Sequence, residues 1–282
     1  MAGQVRQPAR VAVHIWQDQL NFLFGRDRFT SYRAAAASGF TALNAPGRRA
    51  VTQEAWPGGV SLRLAHGNVN GIAFDGTSED AAGPIHAPSI HTDHLVVRRG
   101  SQTAGFEAMC HWIGPDGEVL LEERRTASIR PGSGESRILD LSFRLAAPFE
   151  QAVTFGRTEE AFLMVRAASA LFPAGGGQAR NSVGDYGAEA IHGRSAAWVA
   201  CVGVVQAETV GFAFLDHPDN PWHPPPWVAR EDGTLSPSPF AWRVEELAAG
   251  RAVLLRYRLI VHRGYVDQGW ADARLAEYVR EA

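Results

Sequence analysis

Period two is the feature that most constrains this chain. In Arg137–Leu145, the residues Leu139, Leu141, Phe143 and Leu145 fall on one face. Ile138, Asp140, Ser142 and Arg144 fall on the other, as in a strand with one face against a core. Arg256–His262 repeats the pattern, with Tyr257, Leu259 and Val261 opposed to Arg256, Arg258 and His262. Strands are also predicted over Val11–Trp16, Val60–Ala65, His94–Arg98, Gly105–Trp112, Val119–Ile129, Ala152–Phe155, Phe162–Ala168, Ala196–Val205 and Thr209–Leu215. Gly114-Pro115-Asp116-Gly117 and Pro131-Gly132-Ser133-Gly134 supply hairpin turns between them. Many strands joined by short turns specify an all-β, large antiparallel β-sandwich rather than alternating β/α units. Helix is scarce. Ala271–Arg280 carries a stripe of Ala271, Leu275, Tyr278 and Val279, and Tyr32–Ala37 is too short to stand as a helix. The expectation is one domain over 1–282, ending in a short helix at about 270–280.

Composition narrows the function classes. Of 282 residues, 45% are hydrophobic and 20% charged, ample for a core. The net charge of −3 gives no pull towards nucleic acid. All 27 basic residues are arginine, so neither a lysine Schiff base nor a phosphate-loop lysine exists. Cys110 and Cys201 lie in apolar strand-like runs and read as buried free thiols, with a single disulfide as the alternative. Met1–Arg10 has no apolar segment of a signal peptide, and no run of 18 apolar residues exists to cross a bilayer. The cytoplasm is the expected location. There is no Gly-x-Ser-x-Gly elbow, no His-Glu-x-x-His, no dinucleotide fingerprint and no zinc-spaced cysteine pair. No cofactor and no metal are expected.

Three long irregular segments stand out: Gly67–Ile90, Pro173–Arg194 and His217–Phe240. The densest chemistry is in Leu215–Arg230, where five prolines stiffen a loop bearing Asp216, His217, Asn220, His223, Trp227 and Arg230. A rigid loop of this kind suits a small polar ligand, or is a structural loop packed by its Trp and Pro residues. Ala65–Gly71 adds His66 and Asn70 among glycines, or is simply a turn with a left-handed asparagine. His86–His94 holds three histidines and an aspartate, but alternation splits His91 from His94, so it reads as a polar loop entering a strand rather than a metal site. Asn181–Gly187 reads as a glycine-rich loop. Arg166, on a strand, requires a carboxylate partner, which is structural or a ligand.

At these segments the chain resembles a soluble bacterial family labelled "methane oxygenase PmoA", distinct from the membrane methane monooxygenase subunit. The likeness runs from about Gly39 to Gly264. It is strongest in Asp216-His217-Pro218-x-Asn220-Pro221-x-His223-Pro224 and Trp227-x-x-Arg230. Ala65-His66-Gly67-x-Val69-Asn70-Gly71, Thr158-x-Glu160, Arg166 and His262-x-Gly264 support it. The resemblance implies a carbohydrate or glycoside role. The chain departs from the family at Gly58-Gly59-Val60-Ser61, where two histidines are usual, and at Glu159-Glu160-Ala161 and Ser238-Pro239-Phe240.

The leading reading is an enzyme acting on a sugar-like or polyhydroxylated small molecule by His/carboxylate acid–base chemistry, of isomerase or lyase type. His217 and His66 are the candidate acid/base groups and Glu160 a second candidate carboxylate. Asn70, Arg166, Asp216, Asn220, His223, Trp227 and Arg230 are candidate substrate-binding residues, with Trp227 stacking on a ring. Asp216 and His217 are adjacent, so in an extended backbone they point apart, and a backbone carbonyl or Glu160 is expected to orient His217. The alternatives are a non-catalytic carbohydrate-binding protein and a metal-dependent oxygenase.

Overall fold

The computed structural model describes residues 10–34, 38–56, 58–75, 87–159 and 161–281. Two large antiparallel sheets dominate. The first has the order β1 (Val11–Trp16), β2 (Gln19–Phe24), β3 (Asp27–Arg33), β4 (Gly39–Phe40), β7 (Leu62–His66), β13 (Ala161–Arg166), β18 (Thr234–Pro237) and β17 (Trp227–Ala229). The second has the order β14 (Gln178–Asn181), β15 (Trp198–Val205), β16 (Glu208–Asp216), β20 (Ala252–Arg263), β11 (Arg137–Ala146), β10 (Val119–Pro131), β9 (Ala104–Ile113) and β8 (Ser89–Arg98). Two small ribbons, β5 (Asn44–Ala45) with β6 (Arg49–Ala50) and β12 (Val153–Phe155) with β19 (Glu245–Leu247), and the four-residue helix α1 (Ala188–Ile191) are the smaller elements. The all-β sandwich expected from period two is the fold observed.

Alternation sets the faces. Leu139, Leu141, Phe143 and Leu145 of β11 enter the core between the sheets, beside Tyr257, Leu259 and Val261 of β20. The C-terminal half of the other face of β20 does not face water either. Arg258 and His262 are also buried, because helix α2 (Gln268–Glu281) packs there through Ala271 and Tyr278 in a second, smaller core with Trp198, Leu215 and Ile260. Helix α2 begins three residues before its apolar stripe. Asp267 caps it, its Oδ1 accepting the Trp270 N–H at 2.8 Å. Tyr32 and Arg33 end β3 rather than start a helix, and both cysteines are free and buried.

One charged pair lies inside the main core. Glu123 and Arg125 share the inward face of β10 with Leu121 and Ala127. Arg125 Nε and Nη2 donate to Glu123 at 2.6 and 3.1 Å, and its Nη1 reaches Tyr32 and Ser38. Trp112 Nε1 donates to the same carboxylate at 2.9 Å. Burial works against the guanidinium charge, but Glu123 outweighs it and holds the Arg125 pKa well above normal. Among the described residues no helix is long and apolar enough to cross a membrane.

Candidate active site

Strand β16 delivers the densest loop. Inward parity carries Phe212 and Phe214 into the core and brings Asp216 in behind them, 2% exposed. There its carboxylate is hydrogen-bonded twice. His223 Nδ1 lies 2.7 Å from Oδ2, and Asn220 Nδ2 donates to Oδ1 at 2.7 Å. Burial pushes the Asp216 pKa up, and the bonds from His223 and Asn220 pull against it. The His223 side chain is 20% exposed, and among the described residues its Nε2 has no hydrogen-bond partner.

The other predicted groups of this loop are used structurally. Asn220 is saturated: its Nδ2 also donates to the Arg256 carbonyl and its Oδ1 accepts the Arg256 N–H, both at 2.8 Å. His217 takes the opposite parity. It is 1% exposed, its ring meets Tyr278 of α2 edge-on at 4.8 Å, and its Nδ1 accepts the Asp219 N–H at 3.1 Å. Burial and the charge of Arg256 lower its pKa. As expected from chain geometry, Asp216 does not orient it. Trp227, expected to stack on a ligand, is a core residue. It is fully buried against Phe214 at 5.3 Å and donates Nε1–H to the Ala196 carbonyl. Pairing of β17 with β18 turns its indole inward.

His66 ends β7 in an aromatic cage of Phe155, Phe162 and Phe240, at 5.7, 6.4 and 5.3 Å. It is fully buried, and among the described residues neither ring nitrogen makes a hydrogen bond of normal geometry. Burial lowers its pKa to about 4, with the Gly156 backbone and Asp75 only partly offsetting this. Asn70 is the left-handed turn residue, φ 51°, and its Oδ1 accepts the Thr154 N–H at 2.7 Å while its buried Nδ2 has no partner among the described residues. Phe240 joins the two loops: its ring lies 5.3 Å from His66 and 4.8 Å from Trp222, the residue before His223. Arg243 lies over Trp222. Trp222 escaped selection by sequence reasoning, although Pro221 and His223 flank it in the same rigid loop.

Arg166 belongs elsewhere. Ala161 pairs with His66, and Arg166 lies five residues further along β13, roughly 17 Å away at the strand rise. Its carboxylate partner is Asp232, at 2.8 Å. Arg230 also flanks Asp232 and pairs with Glu159 at 3.6 Å. Glu160 lies outside the described residues, as does His86. His91 and His94 lie on edge strand β8, exposed. Among the described residues no group of three or more His, Cys, Asp or Glu gathers as metal ligands.

The sequence profile of a protein family described as "Family of unknown function (DUF6807)" matches residues 20–276. This overturns the resemblance to the PmoA-labelled family; the motifs in Leu215–Arg230 belong to a family without an assigned activity. No curated protein matches the sequence significantly. Among solved structures, a polysaccharide lyase aligns over 96% of this chain, at 12% identity and a TM-score of 0.31. The chain spans about a third (34%) of that protein's length, and a likeness this low carries no argument about activity.

Proposed function

This chain belongs to the family of unknown function DUF6807, and on that premise we propose, from its own residues, an acid–base enzyme acting on a polyhydroxylated, sugar-like small molecule. His223 is the proton-transfer group and Asp216 the residue that orients it. The hydrogen bond between them carries the reading. A buried carboxylate facing Nδ1 selects the tautomer with Nδ1–H directed at it, so the Nε2 lone pair is left as a base. When Nε2 takes a proton, the imidazolium stands beside a carboxylate 2.7 Å away. His217 and His66 fit the role less well, because each is buried and among the described residues neither is held by a carboxylate hydrogen bond.

Trp222 gives the site an apolar surface beside His223, suited to the C–H face of a sugar ring, and Arg243, paired with Glu245 at 2.9 Å, lies over its indole. One oriented imidazole can remove a proton from a carbon next to a carbonyl or carboxylate. Return of that proton to another carbon is an isomerisation, and loss of a β-oxygen leaving group is a lyase reaction. The test is a panel of aldoses, ketoses, uronates and glycosides incubated in D2O and followed by NMR. Solvent deuterium entering a substrate carbon with wild type, and falling at least 100-fold with His223→Gln, is the expected result. Equal exchange by the variant overturns the role of His223. Binding without exchange or turnover of any ligand makes the protein a binding module instead.

A further inference from the structure

A concavity of about 590 Å³ lies on the outer face of the first sheet, far from the loops that hold His223. Strands β1 and β17 are the two edges of that sheet, seven strand spacings or roughly 34 Å apart. Alternation builds the floor. On β1 and β2, Val11, Val13, Leu20, Phe22 and Phe24 enter the core, so His14, Trp16, Asn21 and Leu23 point outward. His14 faces Asn21 directly across the ladder, and Trp16 lies two residues further on the same side. Arg26 and Arg28 come from the following hairpin, and Arg48 from the turn joining β5 and β6. That turn is fastened down: the Gly47 N–H is accepted by Asp27 at 3.0 Å, and Arg48 Nη2 donates to the Arg26 carbonyl at 3.1 Å.

Two features of this face lack a folding rationale. Trp16 is 72% exposed, an indole left in water beside a cavity. Three guanidiniums line the same hollow against one carboxylate. Asp27 is shared by Arg48 at 3.9 Å and the buried Arg137 at 3.4 Å, while Arg26 and Arg28 have no acidic partner among the described residues. Uncompensated guanidiniums round an indole platform match a ligand with an apolar flat face and a carboxylate, since the guanidinium fork pairs with carboxylates in two parallel hydrogen bonds. A hollow of this volume is the size of a small-molecule site. Nucleic acid would require a longer basic stripe than one hollow, on a chain whose net charge is −3.

We propose that the outer face of β1–β3, walled by the β5–β6 turn, is a second binding site, for a short carboxylated saccharide. Trp16 stacks on a sugar ring, Arg26, Arg28 and Arg48 hold carboxylates, and Asn21 and His14 meet hydroxyls. The site needs no turnover and stands apart from the assignment of His223.

Titration calorimetry with trigalacturonate tests it, with a neutral galactose trisaccharide and a short oligothymidylate as comparisons. Trigalacturonate is expected to bind more tightly than the neutral sugar, and more weakly as salt rises. Trp16→Ala and the double variant Arg26→Gln/Arg28→Gln should each weaken it at least tenfold, with thermal unfolding unchanged because the three side chains are exposed. His223→Gln should leave this affinity as it is. No binding, equal binding of the neutral sugar, or tighter binding of oligothymidylate overturns the proposal. So does loss of binding in His223→Gln with the arginine and tryptophan variants unaffected, which would place the saccharide at the other site.

Discussion

Glu123 and Asp216 are each buried beside a basic side chain, and they are finished differently. Glu123 meets Arg125 and Trp112 inside the main core, and Arg125 is in turn held by Tyr32 and Ser38. Both members of that pair are shut away from water, at 2% exposure or less. Asp216 is as deeply buried, but its partner His223 reaches the surface with one nitrogen uncommitted. A guanidinium stays charged at every working pH, so the first pair cannot exchange a proton. An imidazole can. Full satisfaction makes a strut, and partial satisfaction at the surface makes a group able to react.

The comparison breaks most strongly at Glu123. Glu123→Ala strands the Arg125 charge in the core, and urea unfolding should show a loss of about 3–5 kcal/mol. The double variant Glu123→Leu/Arg125→Met removes both charges and should recover most of that loss. A double variant as unstable as the single one would mean that the network, not the stranded charge, sets the cost.

At the second pair the expected effect is on rate rather than folding. Asp216→Asn keeps the shape but lets the amide favour the wrong histidine tautomer, so turnover of whichever substrate the panel identifies should fall about 10²–10⁴-fold. Its substrate affinity should change far less. A loss of affinity with kcat preserved would assign Asp216 to binding.

Burial without a charged hydrogen-bond partner is the third case, at His66 and His262. Both have folded pKa values of about 4, below the ordinary 6.5, because burial disfavours their charged forms. Between those values the unfolded chain binds more protons than the native one. Stability should therefore rise with pH from about 4 to 6.5 and be lost on acidification through that window, by roughly 3 kcal/mol for each histidine. His66→Leu should flatten the slope of unfolding free energy between pH 4.5 and pH 6.5, measured at about half-unit steps. An unchanged slope would show that His66 takes up its proton over the same pH range in the native and the unfolded chain.

The smallest effect is expected at Arg166. Its ion pair with Asp232 has one half-exposed partner, so Arg166→Gln should cost roughly 1 kcal/mol or less and leave turnover intact. A large drop in turnover would place Arg166 at the site after all.

The candidate site was legible as a segment and not as a choice of side chains. Within Leu215–Arg230, sequence reasoning favoured His217 and Trp227, whereas the geometry favours His223 and Trp222. His217 follows Asp216 by one residue, so when the carboxylate turns inward the imidazole must turn outward, where α2 covers it with Tyr278. Trp227 is internal because β17 pairs with β18 and presses it on Phe214 from the other sheet. Both outcomes depend on elements distant in sequence. The Glu123–Arg125 pair shows the same limit: alternation places both on the face of Leu121 and Ala127, but their partners come from β3 and β9 and from Ser38.

What the sequence determined by itself is the period-two pattern, and with it the all-β class, the faces of β11 and β20 and the C-terminal helix. These follow from local chemistry, because a side chain's face is set by counting residues along a strand. The tertiary structure alone decided which polar groups are buried and which are open. It covered the C-terminal half of the outer face of β20 with α2, closed Phe155, Phe162 and Phe240 round His66, and left His223 at the surface above Asp216. Accessibility is a property of what packs on top of a residue, and in this fold the covering element usually comes from far along the chain.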